Sequence, residues 1–354
     1  MATQDGKFHL RLMEPADSAA VVGLITDFDG SMTTNSLVDA YTAITAGAKE
    51  ETLGVVVERD GFNGLVGMGT VRFSQALFNG DVLPLAFLDG LKVHPNFRGQ
   101  GLGHQIARWR IERARARYGE RCVIGTGLLQ ENTASRTVAR KWCRDLLEPA
   151  FDVFILPTSR KAPEPSEGMR VREVEPGQFE QFSERMNASF REYNLHTPMN
   201  PAVMADTLAV KAEGQRPYRF YAAVDERGNL LAGARTWARG LIKADKINHL
   251  PASLRLMNSV LRVLPADGIL RDVAVTGLWF APGQMQAAKL LWETIRWACS
   301  DQGNSVAVGF DPRDPAREVL TLKPWHQPRP KITMAFHGPD AIDQGRLILP
   351  FARV

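Results

Sequence analysis

Twice along this chain, an apolar run with strand-like composition ends in a turn and passes straight into a long amphipathic helical pattern. The first copy is Gly90-Leu91-Lys92-Val93-His94-Pro95, which continues through Asn96-Phe97-Arg98-Gly99-Gln100-Gly101-Leu102-Gly103. The second is Gly277-Leu278-Trp279-Phe280-Ala281-Pro282. A strand that feeds a helix through a tight turn, repeated at a long interval, points to a duplicated α/β unit. The 354 residues suffice for two such units, since single domains usually hold roughly 100–200 residues.

The segment from Leu156 to Gly168 is rich in Pro, Ser and charge and carries almost nothing apolar, so it reads as a linker. The expected division is residues 1–156, a linker at 157–168, and residues 169–354. Before the linker the pattern predicts strands at 8–13, 54–58, 65–78, 84–93, 122–128 and 151–156, with helices from about 15, 101 and 132. After it come a strand at 169–174, helices at 176–190 and 201–213, and a hairpin of 218–225 with 230–238 turning at Glu226-Arg227-Gly228-Asn229.

Bulk properties remove several classes. Hydrophobic residues make up 44% and charged residues 23%, which suits a chain that buries cores. The N-terminus lacks a signal-peptide pattern and no apolar run approaches ~18 residues, so a cytoplasmic protein without membrane association is expected. Cys122, Cys143 and Cys299 are widely spaced and read as buried, reduced thiols, and no metal site is expected. A net charge of +4 fits nucleic acid, an anionic surface or a polyanionic small ligand such as a nucleotide. The run from Arg108 to Arg117 reads as the solvated outer face of an amphipathic helix, which argues against nucleic acid.

The stretch from Leu91 to Gly103 has the makings of a phosphate cradle. Glycines at 99, 101 and 103 allow backbone conformations that bring successive N–H groups onto one anion. The helix start adds unpaired donors and partial positive charge, and Arg98 supplies a cation at the entrance. There is no Gly-Lys-Ser/Thr ending as in a P-loop, and the loop follows several strands, unlike a dinucleotide fingerprint.

Val93, Pro95, Arg98, Gly101 and Gly103 match, in order and spacing, the Arg/Gln-x-x-Gly-x-Gly/Ala motif of the GNAT superfamily and the strand before it. Asn132-Thr133-Ala134-Ser135 and Lys141 resemble a second family pattern. This resemblance implies an α/β fold of two GNAT-like domains, each a mixed, mostly antiparallel sheet flanked by helices. It implies acetyl-CoA or another acyl-CoA as co-substrate, with pyrophosphate on the amides of Arg98, Gly99, Gln100, Gly101, Leu102 and Gly103. Pantetheine would follow Leu91–Val93, near Asn132 and Ser135. The implied activity is acyl transfer to a primary amine by direct attack, with a small-molecule acceptor and a monomeric pseudo-dimer or a homodimer.

Asp89 is the candidate general base. Strand alternation puts it on the face of Leu91 and Val93 unless a bulge at Gly90 reverses the register. His94 is a weaker alternative that reads as a loop residue. The family's usual tyrosine, seven residues after the asparagine, is here Ala139, and Trp142 and Cys143 replace its neighbours. A catalytically silent acyl-CoA-binding or sensing protein is therefore the competing reading. The second turn, from Ala281 to Ala288, lacks the arginine and two of the three glycines, so it is not expected to cradle pyrophosphate. Leu290, Leu291, Ile295 and Trp297 read as core. Tyr193, His196, Trp237, Trp279, Trp325 and His326 are candidates for a cleft between the domains, with packing as the alternative.

Overall fold

The computed structural model describes residues 6–25, 32–36, 52–212, 214–247, 267–323, 326, 328 and 330–350. Two of the sequence expectations, Trp325 and the end of the 201–213 helix at Glu213, involve residues outside these.

The strands are β1 (Phe8–Leu12), β2 (Met32–Ser36), β3 (Thr52–Arg59), β4 (Gly67–Phe78), β5 (Asp81–Val93), β6 (Val123–Leu129), β7 (Asp145–Pro157), β8 (Met169–Glu173) and β9 (Tyr193–Asn194). They continue with β10 (Tyr218–Asp225), β11 (Leu230–Ala238), β12 (Lys243–Ile247), β13 (Ile269–Leu270), β14 (Asp272–Phe280), β15 (Ser305–Phe310), β16 (Lys331–His337) and β17 (Leu347–Ile348). The described α-helices are α1 (Ser18–Ile25), α2 (Leu102–Tyr118), α3 (Thr133–Ala139), α4 (Phe179–Phe190), α5 (Pro201–Ala209) and α6 (Met285–Ala298).

Both halves repeat one plan: antiparallel strands, then a parallel pair enclosing a helix. In the first half β1, β3, β4 and β5 pair antiparallel in that order, and β5 pairs parallel with β6 around α2. In the second, β8, β10, β11 and β14 do the same, and β14 pairs parallel with β15 around α6. The repeat extends to a local defect. Gly90 and Leu91 together oppose Gly69, and Gly277 and Leu278 together oppose Ala234. Gly90 has φ +61° and Gly277 φ +57°, the left-handed region that glycine enters without a Cβ clash, so each forms a glycine bulge. These are two GNAT-like domains of mixed, mostly antiparallel sheet flanked by helices.

The halves are not independent layers. One sheet of 12 strands runs in the order β1-β3-β4-β5-β6-β16-β7-β15-β14-β11-β10-β8. The last long strand, β16, lies between β6 and β7, and β7 continues on to pair with β15. Each half thus has a strand of the other as its neighbour. The core follows: Phe78, Phe87 and Val123 share one apolar cluster with Leu195, Met334, Phe336 and Ile348.

Helix packing explains several small residues. A Cβ on Gly69 would stand 2.7 Å from Ile106, so the Gly67-Met68-Gly69 run is what lets α2 lie close on β4. On α6 the buried residues Ala287, Ala288, Leu291, Trp292 and Ile295 form one helical stripe. Leu291 and Ile295 are core as expected, whereas Leu290 is half-buried and Trp297 is exposed. The larger anchor of that helix is Trp292, fully enclosed. All three cysteines are free, with Cys122 and Cys299 buried.

Candidate functional site

After Val93 the chain makes a short 3-10 turn at Pro95–Phe97, whose buried Phe97 packs edge-on against Phe62 at 5.0 Å between ring centroids. His94 Nδ1 accepts from the Asn96 amide, so this histidine caps the turn. Arg98 Nε donates to the Val93 carbonyl and its side chain stays exposed. Gly99 and Gly101 adopt φ +78° and +79°, and a Cβ at either would meet no protein atom within 4 Å. The open space above both glycines leaves room for a ligand. The His104 and Gln105 amides bond back to the Gly101 carbonyl, so the intrahelical pattern starts there, and the Arg98 amide is held by the Pro95 carbonyl at 3.2 Å. Leu102 itself is buried and anchors the helix start, and Gly103 lies against Val138.

β5 and β6 pair only at Leu85–Val123, Ala86–Ile124 and Phe87–Gly125. Beyond these they splay, leaving a cleft of ≈190 Å³ lined by residues 88–92, Thr126–Leu129 and α3. Leu91, Asn132 and Ser135 all border it, as do Ala139 and Trp142. The Asn132 side chain accepts from the Ser135 amide at 3.0 Å and so caps α3. The cleft therefore brings together Asp89, Leu91, Asn132 and Ser135 of the residues singled out from sequence, while Arg98, Gly99, Gln100, Gly101, Leu102 and Gly103 stand at the start of α2 and do not line it. Val93 packs with Leu91 against the α2 cluster.

The bulge at Gly90 does reverse the register, which removes the expectation that Asp89 shares the face of Leu91 and Val93. Asp89 pairs across the sheet with Thr70, and its carboxylate lies 3.9 Å from Arg72 on the opposite face. Its Oδ1 accepts the Gly90 amide at 2.7 Å. The side chain is 43% exposed.

The arginine-rich helix also departs from its expected role at one position. Arg110 is 3% exposed, and its Nη1 donates to the carbonyls of Thr70 and Asp89 at 3.0 and 2.9 Å. It bolts the bulged strand to α2, and burial pushes its guanidinium down to about 10. Arg108, Arg113, Arg115 and Arg117 are exposed as expected. The signal for Arg110 was available in the run: it is four residues after Ile106 and four before Ala114, both buried.

A second cavity of ≈470 Å³ opens on the face of Arg72 and Phe87, walled on its other side by second-half residues including His196, Tyr218, Arg235 and Trp237. The loop after β9 closes it by pairing with the end of β4: the Leu195 amide donates to Leu77 and the Leu77 amide to His196. Burial, with Arg235 nearby, pushes His196 down to about 4, so it is neutral and bonds Asn187 at 2.9 Å. Of the six aromatic and histidine candidates, His196 and Trp237 border this cavity. Trp279 is core, Tyr193 packs against Phe190 and bonds Asp314, and His326 accepts from the Lys323 amide. Burial raises Cys122 to about 11 and Cys299 to about 12, and raises Cys143, so none offers a ready thiolate.

Among the described residues, the second half shows no cleft like that between β5 and β6. Only residues 281–284 separate β14 from α6, against 94–101 between β5 and α2. Thr276 stands where Asp89 does, and the β14–β15 splay holds only ≈50 Å³, bordered by Leu349 and Pro350. No group of three or more potential metal ligands occurs among the described residues, and no described helix is long and apolar enough to cross a membrane.

Comparison with known proteins agrees with this geometry. Residues 26–143 match the acetyltransferase (GNAT) family. No curated protein matches the chain in sequence. Among solved structures, Saccharomyces cerevisiae N-myristoyltransferase with bound myristoyl-CoA is similar at TM-score 0.64 and 10% identity, covering 96% of this chain and 80% of that one. A tandem GNAT protein from the clavulanic acid biosynthesis pathway is similar at TM-score 0.58 and 14% identity, over 95% of this chain and 100% of that one. A GCN5-related N-acetyltransferase from Sphaerobacter thermophilus is similar at TM-score 0.55 and 17% identity, over 93% and 94%. At such identities these likenesses speak for the fold, and the matched domain supplies the kinship. Residues 26–143 thus form a domain of the acetyltransferase (GNAT) family, within a chain whose whole fold is similar to that of tandem GNAT proteins.

Proposed function

We propose that this protein is an N-acyltransferase whose first domain, residues 1–156, binds an acyl-CoA, with acetyl-CoA the simplest donor, and whose second, residues 169–354 after a linker at 157–168, closes the acceptor site. The observation that carries this reading is the cleft between splayed β5 and β6, which is bordered by Asp89, Leu91, Asn132 and Ser135. Pyrophosphate would rest on the amides of Gly99 to Gly103 beside the exposed Arg98 side chain, the expected Arg98 amide being bonded to the Pro95 carbonyl, with each charge-assisted bond contributing about 1.5–3 kcal/mol. Pantetheine would pair as an added strand along Leu91–Val93, beside Asn132 and Ser135.

The thioester would then lie at the bulge, where Asp89 borders the cleft and stands 3.9 Å from Arg72, which lines the second cavity. A neutral amine attacks the thioester carbon, and an amide released from sheet pairing by the bulge steadies the developing oxyanion. Asp89 takes the proton from the nitrogen, directly or through water, and the C–S bond breaks to release CoA thiolate. Ala139 supplies no proton to that thiolate, which is a tolerable leaving group without one. The three unpaired cysteines fit a reducing, cytoplasmic setting, and the fused halves fit a monomer.

A second reading, an acyl-CoA sensor without turnover, is favoured by Ala139, which is buried where the family commonly has a tyrosine. Calorimetric titration with acetyl-CoA and longer acyl-CoAs, followed by thiol-release assays with an amine panel, separates the two. Binding with thiol release supports the transferase, binding without release supports the sensor, and absence of binding overturns both.

A further inference from the structure

Acyl transfer releases CoA as a thiolate, and the buried Ala139 carries no group to meet that charge. Several polar side chains that border the cleft are already engaged. Asp89 accepts the Gly90 amide, Thr126 Oγ1 donates to the Leu88 carbonyl at 2.7 Å, and Asn132 accepts the Ser135 amide. Arg110 also borders the cleft, and only part of its guanidinium is engaged. Its Nε donates to the Ile106 carbonyl at 3.3 Å and its Nη1 to the carbonyls of Thr70 and Asp89, while no hydrogen bond to a described residue takes up Nη2.

This guanidinium is held at the bulge. A Cβ on Gly69, the residue that Gly90 and Leu91 oppose together, would stand 3.1 Å from Arg110 Cζ, so the missing side chain there is what admits the group. The Asp89 carboxylate lies on the face of Arg72, and Arg110 comes from α2 on the other. An amine approaching from the Arg72 face leaves the sulfur, which arrives along Leu91–Val93, on the α2 side. Exclusion of water strengthens a hydrogen bond to a charged atom. Burial lowers Arg110 only to about 10, with the Asp89 charge opposing the shift, so it stays protonated at neutral pH. Resting on the acyl-CoA reading of this cleft, we infer that Arg110 is a catalytic residue whose Nη2 hydrogen-bonds the CoA sulfur and stabilises the thiolate as the C–S bond breaks. The sulfur leaves with the electron pair of that bond, the amine proton goes to Asp89, and Arg110 keeps its own proton throughout. The thiolate is protonated by water after release. Lysine, without the planar fork, cannot serve two carbonyls and the sulfur at once.

The test follows the thiol of CoA bound to the full chain, by the ultraviolet absorbance of the thiolate across pH, so that no acceptor is needed. Besides Arg110, the charged residues that border the cleft are Asp89, which raises the thiol, and Lys92, which lowers it, with Arg72 beside Asp89. The comparison between wild type and variant isolates Arg110 from these. The wild-type thiol should titrate about 1–2 pH units below that of free CoA, and Arg110→Met should remove that shift while affinity for desulfo-CoA, which lacks the sulfur, is retained. Arg110→Lys should keep less than half of the shift, and it decides if Arg110→Met does not fold. The inference is overturned if the wild-type thiol titrates at or above that of free CoA, or if the full shift survives in either variant. Failure of CoA to bind at all is a different result, which strikes the acyl-CoA reading and this inference with it.

Discussion

The Arg72 guanidinium stands 3.9 Å from the Asp89 carboxylate across two neighbouring strands, and this pair sits where the cleft between β5 and β6 meets the cavity between the halves. Asp89 borders the first and Arg72 the second. A group poised between donor and acceptor is where a base has to be. Asp89→Asn keeps an oxygen for the Gly90 amide but cannot take a proton. We expect kcat to fall by about 10²–10⁴ with acyl-CoA affinity unchanged, measured by steady-state kinetics and calorimetry. Unchanged kcat would remove Asp89 from the chemistry.

Gly99 and Gly101 hold left-handed conformations with open space above them, so alanine there clashes with nothing in the protein yet strains the backbone by about 1–2 kcal/mol each. The double variant Gly99→Ala/Gly101→Ala should weaken acyl-CoA by tenfold or more. It should leave the affinity for an S-acyl pantetheine fragment, which lacks the pyrophosphate, nearly unaltered. Equal losses for both ligands would contradict a phosphate role for this turn.

Arg110→Met removes the donor from two carbonyls at the bulge while filling much of the same volume. Leaving buried acceptors unsatisfied costs about 1–3 kcal/mol each, so urea unfolding should show a loss of about 2–6 kcal/mol. Because Arg110 holds the Asp89 carbonyl, kcat should fall as well. A variant with wild-type stability would show that α2 is bolted to the sheet by packing alone.

His196 is neutral when folded because burial, with the Arg235 charge nearby, lowers it from 6.5 to about 4. The unfolded chain therefore binds an extra proton between those values, and stability is full above about 6.5 and lost as pH falls through about 4. Asp314, raised by burial, acts in the opposite sense at the acid end of this window. The readout is thus the difference between wild type and His196→Gln in urea midpoints across the range, which should shrink towards acid pH. A constant difference would show that His196 does not titrate on unfolding.

The exchange of β16 and β7 between the halves predicts that neither folds alone. Residues 1–168 should show no cooperative unfolding transition, and should recover one when mixed with residues 169–354. A cooperative transition for 1–168 alone would show that the inserted strand is dispensable.

Much of this architecture could be read without coordinates, because it rests on local requirements. Positive φ at the glycine turn, the helix start behind it and the cap at Asn132 each depend on a few adjacent residues, so their spacing announces them. The repeat of Gly90-Leu91 as Gly277-Leu278 marked the duplication for the same reason: both bulges need a residue without a Cβ at one point. What tertiary structure decided were relations between distant residues. One inserted residue at a bulge turned Asp89 to the face of Arg72. An arginine in a run of surface arginines became the bolt of the sheet, because its carbon stem faces the core and two carbonyls wait at its end. No periodicity in 331–337 tells a strand which neighbours to choose, and it is the apolar cluster shared with Phe78 and Phe87 that settles β16 between β6 and β7. The cavity holding Arg235 exists only because that pairing brings the two halves together.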